Sequence, residues 1–335
     1  MSRAILDRIH GALMGIAVGD ALGMPVEMWT PEQIRGHFGK VTRFEDAPTE
    51  NILTGGLPRG HITDDTQQTM IIANLLIEGK GSLDPTEVGK RLMEWARNGQ
   101  GQPGVILGPS STRAFDLIAR GVPITETGRL GNTNGGAMRI APVGIISDWK
   151  DLKGLVQKAY QVCIPTHNTQ NAVSGAAAIA AAYAYGIDGN SDLKELMGVA
   201  EEASRIGQTL GYPGAGPSVP EKIGLARGLL EQEAPETVLA QLPVQIGTGL
   251  LSSESVPTAL ALVVLAEGDP WRCAKLAANL GGDTDTIAAM STGICGAMRG
   301  IAAFPEDVQQ MVIKTNNIDF LQTAQGLLSV RASLL

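Results

Sequence analysis

Glycine recurs at every fourth position near the start of the chain, at residues 11, 15, 19 and 23. On an α-helix this spacing lines the four positions along one ridge, where absent side chains let a neighbouring helix approach closely. A phosphate-binding loop is the other common use of clustered glycine, but no Gly-Lys-Ser/Thr ending follows. Gly99-x-Gly101-x-x-Gly104 matches a dinucleotide-binding pattern in its letters, yet it contains Pro103 and follows no strand.

The remaining chain agrees with a helical frame. Helix-compatible periodicity runs through residues 5–22, 67–78, 85–97, 110–120, 152–162, 169–185, 193–210, 221–231, 256–266, 271–280, 286–299 and 305–316. Pro85, Pro235, Pro270 and Pro305 lie near helix starts, where a missing backbone N–H costs little. Strand-like alternation is limited to Lys40 to Phe44, so the expected class is all-α. No repeat of 20 to 50 residues is present. The glycine- and proline-rich stretch from Gly211 to Pro217 joins helices of similar composition, and residues 1–335 are expected to form a single domain.

A hydrophobic content of 44% over 335 residues supplies a substantial core. The net charge of −8, with no basic stripe, argues against a nucleic-acid partner and favours small solutes. Cys163, Cys273 and Cys295 are odd in number and widely separated, which suggests neither a disulfide framework nor a Cys-x-x-Cys metal site and fits a reducing cytoplasm. The N-terminus reaches charge at Arg3, too early for a signal peptide, and no membrane partner is expected. The nearest approach to an apolar span, Ala172 to Tyr185, is short, Ala-rich and read as a tightly packed core helix.

Against this background two runs concentrate carboxylates and hydroxyls: Thr63-Asp64-Asp65-Thr66 and Asp283-Thr284-Asp285-Thr286. Each precedes a convincing helix, so each has a plainer use as an N-cap. A cap needs one such side chain, whereas adjacent carboxylates repel unless a cation lies between them. Occurring as a pair, the runs read as two halves of an oxygen-ligand site for Mg²⁺ or Mn²⁺; zinc or copper would call for His and Cys. Asp20 and Glu27 interrupt an apolar helix and its exit loop, with Pro25 fixing the exit so that Glu27 overlooks a cleft as a general base or a partner of metal-bound water. Asn132-Thr133-Asn134-Gly135-Gly136 reads as a turn able to hydrogen-bond a sugar or phosphate. His167, in Thr166-His167-Asn168-Thr169, stands at the start of the Ala-rich helix in a ligand-facing place. His10, His37 and His61 lack the partner spacing of a zinc site.

Taken in order, Gly11 to Glu27, Thr63 to Thr66, Asn134 to Pro142, Thr166 to Gly175 and Gly281 to Thr286 resemble the motifs of the ADP-ribosylglycohydrolase family, across almost the whole chain. The resemblance implies a compact, orthogonal multi-helix fold with a binuclear Mg²⁺ or Mn²⁺ centre in a central cleft. It implies metal ligation by Thr63, Asp64, Asp65, Asp283, Asp285 and Thr286, with Asp285 bridging. The catalytic residues it implies are Glu27, Asp65 and Asp285, with Glu27 handling the proton of a water activated by the cations. Asn134, Gly135, Gly136 and His167 are the implied substrate-binding residues, and Asn132 of the same turn is read with them as substrate-binding. The implied reaction is hydrolysis of a glycosidic bond at ribose C1″, on a small ribosyl or ADP-ribosyl compound or an ADP-ribosylated protein.

Two departures bear on the substrate. Related protein-directed hydrolases can carry a Ser-Tyr pair before the Asn-Gly-Gly turn, where this chain has Gly131-Asn132. The segment from Asn98 to Pro103 offers no acidic side chain where nitrogenase-reactivating members have one. A smaller ribosyl N-glycoside, such as a nucleoside, is therefore the alternative substrate. Other readings are a non-catalytic ADP-ribose-binding protein and a Mg²⁺-dependent phosphohydrolase. The latter needs a phosphate-gripping cation, for which Arg59 is the nearest in sequence.

Overall fold

The computed structural model describes residues 2–99 and 104–335. Residues 100–103, most of the stretch lacking an acidic side chain and part of the rejected dinucleotide pattern, lie outside the described residues. Eighteen α-helices follow one another among the described residues, with no strand and only isolated bridges at Thr133–Leu251 and Thr169–Tyr212. All twelve segments with helical periodicity are found: Ser2–Gly23, Asp64–Glu78, Pro85–Asn98, Pro109–Ala119, Leu152–Cys163, Gln170–Ile187, Leu193–Gly207, Val219–Gln232, Ser252–Leu265, Pro270–Ala277, Thr284–Arg299 and Glu306–Asn316.

Six further helices are present, at Pro31–Phe38, Ile124–Thr127, Gly135–Met138, Ala141–Ile146, Pro235–Gln241 and Phe320–Leu334. Five are too short to show a period. Phe320–Leu334 escapes for another reason, because Thr323 and Arg331 lie on its buried side and break the apolar stripe. Arg331 reaches the carbonyl oxygens of Ile145 and Ser147 and pairs with Asp188. The expected strand at Lys40 to Phe44 is absent. There the Asn279 side chain takes the place of a neighbouring strand, accepting from Val41 N (2.9 Å) and donating to Val41 O (2.8 Å).

The Gln170–Ile187 helix is buried throughout from Asn171 onward, as its alanines allow. It packs beside the Ser2–Gly23 and Thr284–Arg299 helices at the centre of the fold. Residues Arg3–Val26 form a helical stretch long and apolar enough, by length and composition, to cross a membrane, which the choice of Ala172 to Tyr185 overlooked. Within the protein 94% of an apolar 18-residue segment of that stretch is buried, which is the condition of a core helix.

The glycine ridge explains that burial. A Cβ at Gly11, Gly15, Gly19 or Gly23 would fall 2.5, 2.5, 2.2 or 2.4 Å from backbone atoms of Gly300, Thr292, Ala288 and Thr284 respectively. The two helices therefore run antiparallel with their backbones touching. Gly296 reciprocates, its added Cβ falling 2.1 Å from Gly11 O. The end of the first helix is thereby set against the start of the second, where the Thr284 hydroxyl donates to Gly23 O (2.8 Å).

Gly19→Ala is expected to lower stability by about 3 kcal/mol or to prevent folding, since the intruding methyl meets backbone that cannot yield. Gly36→Ala, in an exposed helix with nothing within 4 Å of the added Cβ, is expected to raise stability by about 0.5–1 kcal/mol. Denaturant unfolding of both variants checks the contrast.

Candidate metal centre

Helix capping is a testable alternative for the two acidic runs. Several caps elsewhere in the chain behave as the rule predicts: Asp84 accepts from Thr86 N, Thr169 from Ala172 N and Asp269 from Arg272 N. Thr63 and Asp283 occupy the N-cap positions of the Asp64–Glu78 and Thr284–Arg299 helices, yet neither side chain makes a capping bond.

The first of these helices is capped instead from another helix. Asp20 is fully buried and its carboxylate accepts from the backbone N–H of Thr63 (3.0 Å) and of Thr66 (3.2 Å). The hydroxyls of Thr63 (2.8 Å) and Thr66 donate to it as well. Asp20 thus holds the acidic run against the first helix. Because the Thr63 proton goes to Asp20, its oxygen is left with lone pairs to offer.

The second run depends on Gly281 and Gly282, whose φ values of 79° and 82° lie in the left-handed region. A Cβ at Gly282 would fall 2.2 Å from Thr248 O. This bend lets Asp283 N donate to Thr248 O (2.7 Å), while Gly282 pairs with the Met28–Trp29 backbone. Glu27 is carried to the same place by a 3₁₀ turn, Met24–Val26, that contains Pro25. The Asn51 amide donates to Glu27 O (3.1 Å) and fixes the turn.

Glu27, Asp283 and Asp285 each bring one carboxylate oxygen to within 4.8 Å of the others. Asp65 joins them, accepting from the hydroxyl of Thr286 (3.3 Å). At that separation a pair of ionised carboxylates repels by about 3 kcal/mol at an effective dielectric of 20, more than a typical cap contributes. Buried Glu27 Oε2, Asp65 Oδ1 and Asp285 Oδ1 have no hydrogen-bond partner in the protein. Unpaired anionic oxygens in a repelling cluster fit a hard divalent cation and serve no evident structural need.

Burial is the main cause of the raised pKa of every carboxyl in the group. Asp20 and Asp283 are pushed up to about 6, each restrained by the hydrogen bonds it accepts. Glu27, Asp64, Asp65 and Asp285 go well above the ordinary range, where burial is reinforced by neighbouring carboxylates.

Glu27, Asp64, Asp65, Asn134, Gly135, His167, Asp283, Asp285 and Thr286 all line one cleft. Thr63, Asn132 and Gly136 do not. Asn134 is placed differently from a simple ligand contact, because its amide donates to Asp283 and to Ser255 Oγ (3.0 Å). Gly135 is required by His167, whose ring an added Cβ would approach to 2.6 Å, whereas at Gly136 the nearest obstacle is Cys163 Sγ at 2.9 Å. Burial, aided by the nearby Arg139 charge, holds His167 well below its ordinary pKa, so the ring is neutral. Thr133 and Met138, from the motif region around Asn134, and Ile106, Gly108, Pro109, Ser111 and Leu250, which no local motif distinguishes, complete the lining. Arg59 is paired with Asp46 at the surface (2.8 Å), so it is not the phosphate-gripping cation of the phosphohydrolase reading.

Cation binding must displace protons from carboxyls whose pKa is raised. The expected outcome is a net proton release on titrating a divalent cation near pH 6–7, with affinity falling at lower pH as the carboxyls take up protons. Calorimetry in two buffers of different ionisation enthalpy measures this, and identical enthalpies in both would contradict it.

The ADP-ribosylglycohydrolase family model matches residues 1–332. An uncharacterized protein of Escherichia coli is 37% identical over 326 residues, covering 97% of each chain. The ADP-ribosylhydrolase ARH3 of Homo sapiens is 28% identical over 356 residues, covering 96% of this chain and 93% of its own. A solved structure described as an ADP-ribosylglycohydrolase-related protein complex superposes with a TM-score of 0.67 at 23% identity, covering 99% of this chain and 100% of the other, a likeness of fold. With the match spanning nearly every residue, the chain belongs to the ADP-ribosylglycohydrolase family of glycoside hydrolases.

Proposed function

We propose that this glycoside hydrolase cleaves the bond at C1″ of a ribosyl or ADP-ribosyl group with the help of two divalent cations, Mg²⁺ or Mn²⁺. The observation that carries the proposal is the set of unpartnered carboxylate oxygens on Glu27, Asp65 and Asp285 beside one cleft. Asp64, Asp65, Asp283 and Asp285 would hold the cations, with Thr63 and Thr286 adding hydroxyl oxygens. Bound there, the cations would supply Lewis acidity toward a water and the ribose hydroxyls.

The chain's own groups account for the remaining steps. Glu27 Oε2 takes a proton from the attacking water as its oxygen bonds to C1″. The bond from C1″ to the leaving group breaks, and the same carboxyl returns the proton to the departing atom. Positive charge developing on the ribose is stabilised by the surrounding carboxylates. Asn134 keeps Asp283 in place by donating to it. A cytoplasmic setting is part of the proposal and accords with three free, buried cysteines.

A small ribosyl N-glycoside is favoured as a second substrate class by one observation. Gly131 stands where some relatives carry the first residue of a Ser-Tyr pair, and a Cβ there would fall 2.1 Å from Thr166 O. Serine cannot replace it without moving the backbone that carries His167, and Asn132 beside it is not on the cleft lining.

Incubation with Mg²⁺ or Mn²⁺ and either ADP-ribosyl-arginine or a ribonucleoside panel is expected to release ADP-ribose or ribose. Glu27→Gln should lower kcat by about 10²–10⁴-fold. Asp285→Ala should abolish cation binding and turnover together. Absence of turnover on every substrate, with cations bound, would instead indicate a non-catalytic binding protein.

A further inference from the structure

Arg139 is a buried cation that the hydrolytic scheme leaves unused. It is fully buried, and among the described residues no carboxylate lies within ion-pair distance of it. A lone interior charge is costly unless its donors are engaged. Two of them are: Nη1 donates to Gln68 Oε1 (2.7 Å) and Nη2 to Thr166 Oγ1 (2.6 Å).

A guanidinium donates and never accepts, so it imposes a direction on whatever it bonds. With Gln68 Oε1 committed to Arg139, the Gln68 amide nitrogen faces Asp64 Oδ2 (3.3 Å). With the Thr166 oxygen accepting from Arg139, the hydroxyl proton points to His167 Nδ1 (2.7 Å). A neutral ring that accepts at Nδ1 carries its proton at Nε2, 3.0 Å from Thr133 Oγ1. Thr133 can then donate onward to Ser110 Oγ (2.9 Å). The opposite tautomer would leave the buried Thr166 proton without an acceptor among the described residues.

We propose that Arg139 is a positioning residue that, by donating in two directions, fixes His167 as its Nε2–H tautomer on the cleft wall and holds the Gln68 amide against Asp64. One buried guanidinium thereby sets both a cation-facing carboxylate and the hydrogen-bonding character of the opposite wall. The single Nε2–H of that wall donates to Thr133 Oγ1, and a ligand oxygen would receive it only by taking the place of Thr133. The ligand consequence rests on the ribosyl-cleft proposal, whereas the tautomer does not, so the two can fail separately.

With four histidines in the chain, the long-range ¹H–¹⁵N spectrum of the full-length protein can resolve each ring, His167 being identified by loss of its signals in His167→Gln. The wild type is expected to show the Nε2–H pattern at neutral pH; an Nδ1–H or imidazolium pattern would overturn the proposal. Arg139→Met should give mixed tautomers and weaken Mn²⁺ binding by about 10-fold, with Arg139→Lys restoring part of both. Should Arg139→Met fail to fold, Thr166→Val isolates one arm: the ring signals should change while Mn²⁺ affinity stays at the wild-type value. An unchanged His167 spectrum in whichever of Arg139→Met and Thr166→Val folds would also overturn it. An Nε2–H ring in a protein that turns over no ribosyl compound would support the Arg139 assignment and refute the ribosyl one.

Discussion

Backbone contact between the Ser2–Gly23 and Thr284–Arg299 helices is the constraint on which the rest of the structure depends. Four glycines on one helix meet the backbone of the other, and no side chain separates them. Because the helices are antiparallel, the contact delivers Asp20 and Glu27 from the end of the first to Asp283 and Asp285 at the start of the second. Asp20 in turn grips Thr63 and Thr66 and so brings in the first acidic run. Carboxylates from distant parts of the sequence thus converge through one helix crossing and one buried hydrogen-bonding side chain.

The cluster separates into two electrostatic kinds. Asp20 is saturated by four donor groups from Thr63 and Thr66, so its charge is satisfied within the protein. Glu27, Asp65 and Asp285 each retain a buried oxygen with no partner. The first is a structural clamp; the others have capacity to spare for a cation. Burial and mutual repulsion raise their pKa values in the same direction, which makes protons the competitors of any metal.

Much of this was legible in the sequence, for local reasons. The four-residue glycine spacing announced a close helix contact, and the paired acidic runs announced an oxygen-ligand site, because both signals sit within a few consecutive residues. What the ridge touches was not legible: Gly296 and Gly300, at the far end of the sequence, are the residues that meet Gly11. The clamping role of Asp20 was not legible either, since its partners lie more than forty residues away. The directing role of Arg139 likewise depends on Gln68 and Thr166, each remote in sequence. Short helices such as Gly135–Met138 carry too few residues for a period and are fixed by tertiary contact with His167.

As proposed, the glycine-mediated crossing assembles a buried carboxylate site for divalent cations. Anomalous diffraction from crystals grown with Mn²⁺ tests it most directly. Anomalous peaks are expected among the carboxylates of Asp64, Asp65, Asp283 and Asp285, with Glu27 alongside. Well-diffracting crystals with no Mn²⁺ peak in that cluster at saturating concentration, or with peaks only at exposed acidic groups, would contradict it.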